Sequence, residues 1–342
     1  MITALDFGCH SIKSAFRCPD DPRKINLFCE RSEYAVLPDT PAHLQALADN
    51  LISYAICEDS LVVFGNRASE VRWLSRQPCA PLFTDGRVPR EDAPARQILN
   101  VLTEALLPTT DEESFCVFTS PGGNAQADNN EFLSRLIRMH GWTPIASTAG
   151  NAVMLATGHD TRFTGVSIVV GAESTQVCVS RFGAEVAGET IEVGSNWIDS
   201  ELAAQFKMKT WDESGDCYLD LEGVRNWKHD SRIQLRNGVD EREKTLSRLY
   251  GVVLNRVAKS VHQLLNSITV RSALGGERVS IVCAGGATET AGFAGALTER
   301  FVEHDIASEI LSVRVAEEPS TAVVRGLLIQ GELDRLSSSR AA

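Results

Sequence analysis

Two short stretches carry the residue types from which a phosphate site is made. ALDFGCHSIKSAF places Gly8 and Ser11 at a turn between two apolar runs, and SIVVGAESTQVCV repeats the plan with Gly171 and Ser174 at the same spacing. An alternating strand that enters a Gly and small-polar turn and leaves as a second strand is a β-hairpin with backbone N–H groups exposed at its tip. Such a tip can cradle an anion. The copies differ at the end of the first strand, where the counterpart of Asp6 is Val169. One hairpin is chemically equipped and the other is stripped.

The elements around these hairpins also run twice. The first half continues through INLFCERSEYAVLP, a helix expected around AHLQALADNLISYA, the strand SLVVFG and an amphipathic helix at about 93–107. The strand SFCVFTSP then leads to Gly122 and Gly123, and the helix NNEFLSRLIRMHG has Gly141 as its C-cap. From about residue 150 the pattern restarts with the helix NAVMLATG, the second hairpin and the helix WIDSELAAQF. A polar stretch at 207–245, a long helix SRLYGVVLNRVAKSVHQLLN, the strands VSIVCAGG and LSVRVAE and a closing helix TAVVRGLLIQGELDRL follow. Strands at the head of each half with helices after them predict two α/β domains of related build, 1–148 with 319–342, and 149–318.

Composition narrows the function classes. The chain has 342 residues, 43% hydrophobic and 23% charged, which is enough for two packed domains. A net charge of −12 without long acidic runs argues against nucleic acid or an anionic membrane as a direct partner. The nine cysteines form no Cys-x-x-Cys pair and suit a reducing compartment. No run approaches the roughly 20 apolar residues of a membrane span, and the first residues read as a strand rather than a signal peptide. A cytoplasmic location is therefore expected, with any membrane association made through protein partners or an internal loop. The seven histidines, His140 and His262 among them, show neither metal-ligand spacing nor a nucleophile partner. Trp197, Trp211 and Trp227 are expected in core packing.

Taken in order, the two hairpins, FGNRASE, PLFTDGRV, VGSNWID, CAGGATETAGFAGAL and EEPSTAVVRG resemble the actin, heat-shock chaperone and sugar kinase ATPase superfamily, most of all its MreB branch. The likeness spans nearly the whole chain, and DFGCHSIKSA is similar also to the PilM and FtsA adaptors. It implies an α/β, actin-like (ribonuclease H-like) two-domain fold with a nucleotide cleft between duplicated domains. ATP and Mg2+ are the implied cofactors, and self-association into protofilaments for cell shape or intracellular organisation the implied role. By resemblance, Asp6 holds magnesium through water, a role suited to a single carboxylate in a water-rich site. Gly8, Cys9, His10 and Ser11 with Gly171 and Ser174 grip phosphate, and Lys13 spreads its charge. Gly285, Gly286 and Ala287 lie against the nucleoside, where missing side chains admit ribose and purine. Glu222 and Arg225 of LEGVR approach it from another side.

The departures concern hydrolysis. Val169 replaces a carboxylate that orders water in the family, and Ala172 and Glu173 stand where the loop is normally glycine-rich. Glu173 either repels phosphate or supplies the missing carboxylate. Asn151 takes the place of the Glu or Gln that positions the attacking water, and it is shorter and cannot act as a base. General-base catalysis is typically worth about 10² to 10⁴ in rate, so hydrolysis is expected to be weak or absent while binding survives. Two functions remain in view: a nucleotide-binding filament former, and a non-polymerising pseudo-ATPase adaptor of the PilM type.

Overall fold

The computed structural model describes residues 1–341 apart from 58, 76, 110–113, 213, 229, 231, 232 and 237. In the first half, β1 (Ile2–Phe7) and β2 (Ser11–Arg17) form the first hairpin and β3 (Ile25–Arg31) extends it antiparallel. A small appended unit follows, made of β4 (Glu33–Pro38), α1 (Pro41–Asp49), β5 (Ala55–Cys57), β6 (Ser60–Phe64), α2 (Asn66–Glu70), α3 (Arg72–Ser75) and β7 (Ala80–Pro81). Its strands run in the order β5-β6-β4-β7 over a core that includes Leu37, Leu47, Leu61 and Val63. Then α4 (Ala93–Leu106), β8 (Phe115–Thr119), α5 (Gln126–Met139) and β9 (Thr143–Ala146) complete the main sheet, ordered β3-β2-β1-β8-β9.

The second half opens with α6 (Ala149–Thr157), β10 (Gly165–Val170), β11 (Thr175–Arg181), β12 (Ala184–Ile191) and α7 (Ser195–Gln205). It continues through β13 (Lys209–Trp211), β14 (Cys217–Leu219), α8 (Leu221–Lys228), α9 (Glu241–Asn266) and α10 (Ile268–Leu274). The chain closes with β15 (Val279–Ala284), α11 (Phe293–Glu303), β16 (Ile310–Val315) and α12 (Ala322–Ala341). The second main sheet is ordered β12-β11-β10-β15-β16, the same pattern as the first. The repeat read in the hairpins is therefore a repeat of whole sheets.

Local sequence accounts for these elements. Every residue of GVSIVV in β10 is buried, as a central strand covered on both faces requires. α9 is capped by Asp240, whose side chain accepts from the Glu243 N–H, and buries Leu246, Leu249, Tyr250, Val253, Leu254, Val257 and Val261 at helical spacing. The helix expected over AHLQALADNLISYA stops early, because Asn50 caps it and Leu51 turns into the left-handed region at φ 53°. The polar stretch at 207–245 holds the β13–β14 hairpin, α8 and the first turns of α9, elements too short or too polar to show a period. Trp197 and Trp227 pack against the second core as expected, but Trp211 on β13 is 56% exposed.

The halves meet through α6 and α12. Small and branched residues from both helices, among them Ala149, Ala152, Ala322 and Val323, share one apolar cluster with Ala4, Val117, Val169 and Ala284 of the two sheets. A Cβ on Gly326 would lie 1.8 Å from the Ala152 carbonyl oxygen, so the helices cross with backbones in contact. Among the described residues no helix is long and apolar enough to cross a membrane.

Candidate functional site

The two hairpin tips are built alike. Gly8 N–H donates to Ser11 O at 3.1 Å, and Gly171 N–H donates to Ser174 O at 2.9 Å. A Cβ would stand 2.8 Å from that oxygen in the first turn and 3.0 Å in the second, which explains glycine at both. The tips converge on one cavity of about 600 Å³ between the sheets. Asp6, Gly8, Cys9, His10, Ser11 and Lys13 line it from the first half. Gly171, Glu173, Ser174, Glu222, Arg225, Gly285, Gly286 and Ala287 line it from the second.

Asp6, the next-to-last residue of β1, lies directly opposite Lys13 on β2, and Lys13 Nζ lies 3.8 Å from Asp6 Oδ2. Burial raises the Asp6 pKa, and the charge and hydrogen bond of Lys13 pull it part of the way back. The Cys9 thiol is pushed well above its usual range by burial and then by the Glu173 and Asp6 charges, so it stays a thiol rather than a nucleophile. His10 is exposed at the rim of the cleft. The partial desolvation it meets there, and then Arg225, Arg31 and Lys13, lower its pKa to about 4 against a small opposing effect of Glu222.

On the other side a chain of polar contacts ties the second hairpin to the first half. Asn196 on α7 donates to Glu173, and its Oδ1 accepts from Arg225 Nη2 at 3.0 Å. Asp199 is buried between Lys228 Nζ at 2.5 Å and Arg225 Nε at 3.4 Å. Glu222 receives both Nη groups of Arg31 on β3. The Glu173 carboxylate is thus held by an amide rather than left loose in the loop.

Gly285 sits at φ +95°, with a would-be Cβ 2.2 Å from Val170 O. β15 and β10 can therefore approach only over a glycine, in a region L residues avoid. Gly286, which lines the cavity, is different, since a Cβ there meets nothing within 4 Å. Asn151 does not line the cavity: its Oδ1 accepts from Ser180 Oγ at 3.1 Å. The α6 residue on the wall is Ala149, two positions earlier and about 200° around the helix. Val169 faces the same space.

Cleft residues not singled out from the sequence include Arg31, Thr119, Asp199 and Lys228, all on the cavity wall. VGSNWID contained Asp199, and Lys228 is three residues beyond Arg225 on the same helix, so a search for charges at helical spacing from LEGVR finds it. Among the described residues no three His, Cys, Asp or Glu side chains converge as a metal cage.

Comparison with solved structures gives the fold. The chain is similar to a MamK double helical filament, with TM-score 0.70 and 16% identity over 97% of this chain and 98% of that one. A non-polymerising MamK mutant bound to AMPPNP gives 0.56 and 15%, over 97% and 98%. The ethanolamine utilization protein EutJ from Carboxydothermus hydrogenoformans gives 0.52 and 15%, over 96% and 88%. The two-sheet architecture is thus actin-like, as the sequence resemblance implied. No curated protein sequence matches the chain. The family model described as Volactin matches residues 1–331, and the chain belongs to that family.

Proposed function

We propose that this chain is a nucleotide-binding actin homologue that takes a magnesium nucleoside triphosphate, ATP first among them, in the cleft and assembles into cytoplasmic filaments. The observation that carries the reading is the convergence of two glycine-turned hairpins, one from each sheet, on a single cavity beside Gly285 and Gly286. The residues present suit the group. Gly286 leaves room that a side chain would fill, and both hairpin tips line the same cavity, as an anion cradle requires. Among the described residues no cage of three ligand side chains forms around Asp6, which suits a cation that keeps most of its water. Magnesium, when bound, offsets phosphate charge. Lys13 and Arg225 would share that task, and His10, being neutral, would not oppose a bound cation.

Slow turnover is part of the reading. Val169 and Ala149 bring only alkyl groups to the cavity, so neither orders water nor removes a proton. Filament formation is supported by the name of the MamK filament structure and by the exposed indoles of Trp73, at 60%, and Trp211, at 56%. Trp73 lies on α3 of the appended unit and Trp211 on β13 of the second half, and a role in cell shape or internal organisation would follow from assembly.

The test is thermal unfolding with and without Mg-ATP, followed by light scattering across protein concentrations. Ligand at 100 times Kd adds about 2.7 kcal/mol, so binding is read as a clear rise in Tm. No shift at millimolar nucleotide would sink the reading. The alkyl lining also favours a second reading, a non-polymerising adaptor in a membrane-associated machine. A Tm shift with flat scattering would select it.

A further inference from the structure

Strand register places Asp6 directly between Lys13 on β2 and Thr119 on β8. Residues paired across neighbouring strands share a face of the sheet, so Lys13, Asp6 and Thr119 form one row. All three line the cleft. The matching row of the second sheet is Gln176, Val169 and Ala284. At the place of Thr119 the repeated architecture therefore accepts a bare methyl group.

Thr119 is 2% exposed, and among the described residues its Oγ1 has no hydrogen-bond partner. Three buried hydroxyls close by are satisfied. Thr3 donates to Ala15 O at 3.3 Å, Ser14 to Leu106 O at 2.7 Å, and the next residue, Ser120, to Asn130 Oδ1 at 2.7 Å. An unmet buried hydroxyl costs stability that a methyl group of the same shape would not. The fold thus bears a cost at Thr119 that its own repeat avoids at Ala284.

We propose that Thr119 is a ligand-contacting residue of the cleft, its hydroxyl bonding to the hydrated cation and phosphate group that Asp6 and Lys13 serve. The proposal rests on the nucleotide reading above. Thr119 would accept from, or donate to, a water of the cation or a phosphate oxygen. It gives the equipped half a third polar point where the other half has none.

The test uses the full chain and its Thr119→Val and Thr119→Ser variants, with Mg-ATP and with ATP in EDTA as probes. Ligand-free Tm of the Val variant should equal or exceed that of the wild type. Its Mg-ATP affinity by titration calorimetry should fall about tenfold, the size of one hydrogen bond, and the Ser variant should recover it. A fall confined to Mg-ATP assigns the contact to the cation's water, and an equal fall in EDTA assigns it to phosphate. Unchanged Mg-ATP affinity in Thr119→Val, with the wild type binding normally, overturns the role of Thr119 alone. A lowered ligand-free Tm in that variant does so too, because the hydroxyl would then be satisfied within the protein. Absence of binding in the wild type overturns the nucleotide reading and this role together.

Discussion

Arg31 donates from both terminal nitrogens to Glu222, at 3.1 and 3.0 Å, and so bolts β3 of the first sheet to α8 of the second half across the cleft. Bidentate pairs of this kind fix orientation as well as charge. Burial works against ionisation of Glu222, yet the hydrogen bonds and charge of Arg31, helped by Arg225 and Arg72, outweigh it and hold the pKa below 4.5.

Breaking that bolt should loosen the cleft. Arg31→Ala and Glu222→Gln are each expected to speed release of a fluorescent ATP analogue, and a double-mutant cycle in urea should give a coupling of about 1 kcal/mol. Because the Glu222 pKa is depressed on folding, the contribution is complete above the ordinary glutamate range and disappears as pH falls through the lower folded value. Equal coupling at neutral and strongly acid pH would contradict this.

His10 should make the ligand-free protein sensitive to mild acid. Its pKa of about 4 lies below the ordinary 6.5, so the unfolded chain binds the proton more readily. Stability contributed at this residue therefore rises with pH between those values. His10→Gln should flatten the rise in a series of urea melts.

Two adjacent glycines should fail in different ways. Gly285→Ala forces a Cβ against Val170 O at a positive φ and should lower stability by about 2 kcal/mol or more. Gly286→Val projects into open space, so the variant should keep its Tm and lose the rise produced by Mg-ATP. A normal ATP shift in Gly286→Val would place the nucleoside elsewhere.

Asp199 should matter more than either of its partners. Asp199→Ala leaves Lys228 buried without its carboxylate, a change that costs about 3 to 5 kcal/mol. Lys228→Met leaves Asp199 still paired with Arg225 and should cost less. Guanidinium melts of both variants decide the order.

How much of this was legible beforehand depends on distance along the chain. The hairpins and Gly285–Gly286 are local patterns of small residues after apolar runs, and the sequence displays them directly. Arg31 and Glu222 stand 191 residues apart, and nothing in ERSEY or LEGVR announces that they meet. Thr119 looked like an ordinary strand residue until its register with Asp6 was known. Asn151 and Ala149 show the opposite difficulty. The helix was recognised, but a step of two residues turns a side chain from the cavity to the far side, and motif matching does not fix rotation about a helix axis.

The crossing at Gly326 leaves no slack between the halves. A side chain there would enter the space of the Ala152 carbonyl, so any substitution must part α6 from α12, and with them the two sheets whose Ala4, Val117, Val169 and Ala284 share that apolar cluster. The distance at which the two hairpin tips face each other is thereby tied to one missing methyl group.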